Sequence, residues 1–271
     1  MAKLRRPDGA ELHWGERGTG PLVVLATQFF GSPELFSGLI ADLVTDHRVV
    51  WYHLRGTGNS TRRGPYRIDT DAEDLGAVIE EAGGPAVLVG TGDGCNRAVK
   101  LGAARQDLVR AVVTPAGNPV GRRAVEGTEG LAGSESVIEA LLGMIDIDYR
   151  SALRTMLQTA NPDLNETELT ERVDRTVAFC PHKPGAERMR EWAYSSVVDE
   201  GRALGDRLWI LEHGRNLWFP IGVVSRTREF LPEAHVEEVP DGPITRPDIT
   251  AAVVRRLTAP ELVQQPSATA D

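Results

Sequence analysis

Only three of the 271 residues are lysine, two are cysteine and 6% are aromatic. Cys95 and Cys180 fall where a helix is expected to start and another to end, without the spacing of a disulfide framework or a zinc site. A reducing, cytoplasmic setting and no metal are therefore expected. Long hydrophobic runs are missing as well: no window approaches the ~18 apolar residues of a membrane span. The basic start with Lys3, Arg5 and Arg6 has no apolar stretch behind it, which predicts a soluble, unexported chain without a membrane partner. An excess of positive charge is also lacking. Thirty Lys+Arg stand against 39 Asp+Glu, a net charge of −9, so nucleic acid is not expected as a partner. The preference for arginine over lysine reads as the usage expected of a GC-rich bacterial genome.

What is present is an ordinary globular composition, 41% hydrophobic and 25% charged, in a chain long enough for a sizeable core. Leu22–Ala26, Val49–Tyr52 and Ala86–Val89 are short, continuous apolar runs, the pattern of parallel strands covered on both faces, and Arg110–Thr114 reads as a further strand. Helical spacing separates them over Glu34–Val44, Asp69–Ala82 (capped by Asp69 or Thr70) and Gly94–Arg105. This alternation predicts a doubly wound, mostly parallel α/β sheet. From 119 to 204 strand signals vanish and helical stretches follow one another, as expected of an inserted helical lid. Strands resume at Leu208–Leu211 and Ala234–Val239, and a last helix opens at Pro247. The expected division is an α/β core of 1–118 and 205–257, the lid, and a disordered tail at 258–271 rich in Pro, Gln, Ser and Ala.

Gly90-Thr91-Gly92-Asp93-Gly94 follows a strand and opens a helix. A dinucleotide loop fits poorly: the third glycine is one residue early, and no acidic strand end follows at the required distance. The other reading is a nucleophile elbow, G-x-Nuc-x-G, with glycine itself at the centre.

With this elbow, the turn His53-Leu-Arg-Gly-Thr-Gly-Asn-Ser60 and the loop Thr27-Gln-Phe-Phe-Gly-Ser32, the chain resembles the α/β-hydrolase superfamily from about Glu11 to Leu257. The resemblance puts Thr27, Gln28 and Phe29 in the oxyanion loop, Gly92 in the nucleophile's place, Asn216 or Leu217 in the acid's and Pro243 in the histidine's. None of these last residues can attack or relay a proton, so ordinary ester hydrolysis is not expected. Asp93 and His53 are the candidate acid/base groups; Thr27, Gln28, Phe29, Gly92, Asn216, Trp218 and Pro243 are the candidate pocket residues.

Three functions stay open. The favoured one is a non-hydrolytic enzyme that cyclises, isomerises or eliminates a small apolar metabolite. The second is a pseudoenzyme that binds a small molecule, and the third is a hydrolase with a relocated nucleophile such as Cys95, Thr91 or Thr27. No cofactor is expected, and a homodimer stays open. Gly92 is expected to leave the space over the following helix start free for a ligand carbonyl.

Overall fold

The continuous apolar runs become the middle of an eight-stranded sheet. A computed structural model gives the structure of the protein and describes residues 1–124, 134–213, 223–239, 244 and 246–259. The strands are β1 (Ala2–Arg5), β2 (Glu11–Arg17), β3 (Leu22–Ala26), β4 (Arg48–Tyr52), β5 (Ala86–Gly90), β6 (Val109–Pro115), β7 (Leu208–His213) and β8 (His235–Val239), in the order β1-β2-β4-β3-β5-β6-β7-β8. From β4 to β8 every pairing is parallel, and only β1 and β2 run antiparallel to their neighbours.

The sheet is buried because helices cover both faces. One face carries α2 (Ile68–Glu81) and α3 (Asp93–Ala104), whose Leu75, Val78 and Val99 join Val24, Leu88 and Val112 in one core. The other carries α1 (Ser37–Leu43) and α10 (Pro247–Thr258), whose Leu39, Leu43, Ala251 and Val254 pack with Val23, Val49 and Val87. Successive strand side chains serve opposite faces, which is why apolar residues run without alternation.

The structure differs from the sequence reading in several local places. β1, β2 and α9 (Val223–Phe230) are additional elements. The stretch expected as a helix over Glu34–Val44 begins as a 3₁₀ turn at Pro33–Phe36 and becomes α1 only at Ser37. α2 starts at Ile68 behind Arg67, so Asp69 and Asp71 lie in its first turn and are not its cap. There their charges face the positive helix end.

After β6 the chain builds α4 (Glu135–Ile147), α5 (Tyr149–Ala160), α6 (Glu166–Phe179) and α7 (His182–Tyr194). α6 opens on a capping box, Asn165 and Glu168 each accepting the other's backbone N–H. Three contacts fasten this block over the C-terminal ends of the parallel strands. The Gly58 N–H donates to the Phe179 carbonyl at 2.7 Å. Arg188 of α7 forks onto Asp71 of α2 at 2.6 and 2.8 Å. Asn96 of α3 donates to the Ser195 hydroxyl at 2.7 Å. α8 (Val198–Leu204) then returns to the sheet-covering layer and packs on α3, with Leu204 against Gly102. Among the described residues no helix is long and apolar enough to cross a membrane.

Candidate ligand site at the elbow

β5 turns into α3 within three residues, and two glycines make that possible. A Cβ on Gly90 would lie 2.6 Å from the Gly94 carbonyl oxygen, and one on Gly94 would fall on the Ala26 carbonyl. Between them Gly92 caps α3 with φ 52° and ψ −127°, a left-handed conformation that strains any residue with a side chain. The turn is held by Thr91 N–H to the Ala26 carbonyl at 3.3 Å and Gly92 N–H to the Ala116 carbonyl at 3.2 Å. It has the geometry of a nucleophile elbow, and at its apex there is no side chain.

The space beside that apex is bordered by one neighbouring side chain. Gln28, half-buried in the loop after β3, lays its side chain across it: a Cβ on Gly92 would stand 3.0 Å from Gln28 Oε1 and 3.2 Å from Gln28 Cβ. On its other side, a Cβ on Gly31 would meet Gln28 Cγ at 2.9 Å. Two glycines thus make room for one carboxamide.

Asp93 lies one residue beyond the apex and is buried. One carboxylate oxygen accepts the Phe29 N–H at 2.9 Å, and the other accepts from Arg97, one helical turn along and also buried. Arg97 donates in addition to the Thr27 carbonyl at 3.2 Å. Asp93 and Arg97 therefore bolt α3 to the loop Thr27–Phe29, and both carboxylate oxygens are engaged. Burial pushes the Asp93 carboxyl up, against the pull of Arg97 and of the Phe29 N–H. The Asp93–Arg97 pair at i,i+4 is the one part of this arrangement with a local sequence signal.

Thr27 and Phe29 are buried, and the Phe29 side chain packs in the core beneath α3. Of the loop, the Gln28 side chain is what faces the elbow. His53 follows β4 in a turn fixed from several sides: Ser60 donates to the His53 carbonyl at 2.7 Å and accepts the His13 N–H at 2.9 Å. The imidazole Nδ1 accepts the Asn59 N–H at 3.1 Å, so the ring proton is on Nε2 and His53 presents a donor. Phe179 meets the ring edge-on at 5.2 Å, and burial holds the pKa below its usual value. Cys95 is fully buried and its thiol is pushed well up by burial, the opposite of what a nucleophilic cysteine needs.

A second buried layer surrounds the site. Asp71 with Arg188 and Asp74 with Arg55 (2.6 and 2.9 Å) are nearly or wholly inaccessible ion pairs, each a fork of two bonds. None of these partners was visible to the sequence reading. Asn216, Leu217, Trp218 and Pro243 lie outside the described residues, as do residues 125–133 of the expected lid and 260–271 of the expected tail. Among the described residues no three His, Cys, Asp or Glu side chains form a group that could hold a metal ion.

Comparison with solved structures finds the same architecture repeatedly. A bromoperoxidase from Bacillus anthracis is 18% identical, with TM-score 0.79 over 94% of this chain and 98% of that one. An esterase from Exiguobacterium antarcticum is 17% identical, with TM-score 0.81 over 95% and 99%. An E-2-(acetamidomethylene)succinate hydrolase is 20% identical, with TM-score 0.73 over 94% and 98%. At such identities the likeness is one of fold. A comparison with curated protein sequences finds no match. A family model for the alpha/beta hydrolase fold matches residues 21–163, more than half of the chain, including β3 to β6 and the elbow described above. The chain belongs to the α/β-hydrolase fold family.

Proposed function

We propose that this protein binds a small, neutral, largely apolar molecule over the elbow and does not hydrolyse it. The observation that carries this reading is the Phe29 N–H bonded to Asp93 at 2.9 Å. In a hydrolase of this fold an N–H from the loop after β3 joins the N–H following the nucleophile to hold the developing oxyanion. Here the loop donor at Phe29 is taken by a carboxylate, and the residue at the elbow's centre is Gly92. Asp93 is paired with Arg97, so the floor of the site is electrically balanced and suits a neutral ligand better than a carboxylate or phosphate. The activities named for the similar structures are not carried over, since loss of a triad member costs on the order of 10⁴–10⁶ in rate.

A non-hydrolytic reaction is the second reading, and burial of Asp93 favours it, because burial raises the carboxyl above its ordinary range, the direction an acid/base group needs. The two readings separate on Asp93→Asn. Acid/base turnover is abolished by it, whereas binding alone gives no turnover in the unmutated protein to begin with; in both cases Arg97 loses its buried counter-charge.

The test of the main reading is labelling by a fluorophosphonate probe together with turnover of p-nitrophenyl esters. The expected result is neither, for the protein itself and for Gly92→Ser. Stoichiometric labelling that disappears on mutating one particular Ser, Thr or Cys overturns the proposal.

A further inference from the structure

We infer that the Gln28 carboxamide stands in for the missing nucleophile as the group that reads the ligand. This rests on the binding function proposed above and names the ligand's chemistry: a small neutral molecule offering a hydrogen-bond donor next to an acceptor, as a lactam or a primary carboxamide does.

Three observations converge on it. The first is position: Gln28 Oε1 lies 3.0 Å from the point where a Cβ on Gly92 would be, so the amide occupies the ground a nucleophilic side chain would sweep. The second is the niche. Gly31 and Gly92 flank the same side chain, and a Cβ on either would crowd it, at 2.9 Å from Gln28 Cγ and 3.0 Å from Oε1. The two glycines leave room there for a long polar side chain. The third is that among the described residues no protein group hydrogen-bonds the carboxamide. Its neighbours Thr27 and Phe29 have their backbone groups committed, to Arg97 and Asp93.

A carboxamide carries two N–H donors and a carbonyl acceptor side by side. A ligand that shuts it away from water must satisfy both kinds of group, or its desolvation goes uncompensated. A cyclic amide pairs with it twice. A lactone of the same ring size offers the carbonyl but leaves the Gln28 carbonyl without a donor. The selectivity expected from one such hydrogen bond is about tenfold.

The probes are 2-piperidone and δ-valerolactone, titrated separately into the full chain and followed by ¹⁵N–¹H spectra and calorimetry, with a pH-stat on the lactone sample. The expected result is about tenfold tighter binding of the lactam, a shift of the Gln28 side-chain NH₂ resonances on titration, and loss of the preference in Gln28→Leu. Equal affinities, a bound lactam that leaves those resonances unmoved, or a preference that survives in Gln28→Leu overturns the inference. The resonance shift is read on the unmutated protein, so the inference stays testable if Gln28→Leu does not fold. Enzymatic consumption of the lactone is a different failure: it overturns the non-hydrolytic function, whatever the affinities are.

Discussion

The turns after β4 and β5 stand on either side of β3, carry the two most recognisable motifs of the family, and have been treated very differently. In the β4 turn each motif residue is bound to a distant part of the core: Arg55 forks onto Asp74 of α2, and Ser60 joins His53 to the backbone of β2. Its glycines serve close approach, Gly58 leaving room for the His53 ring. In the β5 turn the outer glycines Gly90 and Gly94 are equally committed, yet the central position belongs to Gly92, with a neighbouring side chain leaning over it. Residues that shape the backbone are kept where their removal would unfold the loop. The one residue whose side chain would be chemical serves the turn through its backbone alone, and it can be glycine without loss of the turn.

The largest effect expected from this contrast is in the β4 turn. Asp74→Ala leaves Arg55, and Arg6 which also binds Asp74 at 2.8 Å, without their buried counter-charge. Breaking one side of such a pair costs about 3–5 kcal/mol, to be read from urea unfolding. At the elbow, Gly92→Ala costs about 1–3 kcal/mol, from the strained φ of 52° and the crowding of Gln28. Combining it with Gln28→Gly, which removes both the Oε1 and the Cβ contacts, recovers only the crowding, so a double-mutant cycle sharpens the distinction between strain and packing. A larger cost at Gly92 than at Asp74 would break the comparison. The smallest effect is the pH response of His53. Burial holds its pKa below the ordinary 6.5, so from that value downward the unfolded chain takes up the proton first. Stability therefore falls as pH drops below about 6.5, with a slope of at most about 1.4 kcal/mol per pH unit from this residue. His53→Gln flattens the profile in that window; an unchanged profile means that the ring protonates freely in the folded protein.

The sheet's middle was legible because burial on both faces leaves an unmistakable run of Val, Leu and Ala in β3 to β6. β1 was not, since Ala-Lys-Leu-Arg at an edge carries no such run. β2 alternates, Leu12 and Trp14 inward between polar neighbours, and offers no continuous apolar run. The elbow could be read from glycine spacing and from its place between strand and helix. What lies over it could not: Gln28 and Gly92 are 64 positions apart, as are Phe29 and Asp93, and Arg188 reaches Asp71 across 117. Such contacts are products of the topology. A carboxylate at a helix start reads as a cap by itself, and only the return of the β3 loop turns it into an acceptor for Phe29.

The ends of the sheet bear on how copies of this chain can meet. β1 presents Lys3 and Arg5 to solvent, and β8 at the far side presents Glu237 and Glu238. A two-fold axis that extended the sheet through β1 would set cation against cation, and one through β8 would set carboxylate against carboxylate, each a destabilising cross-strand pairing. Extending the sheet from copy to copy therefore carries a like-charge cost at either edge, eased at β1 by Glu11, which pairs with Lys3 at 2.8 Å.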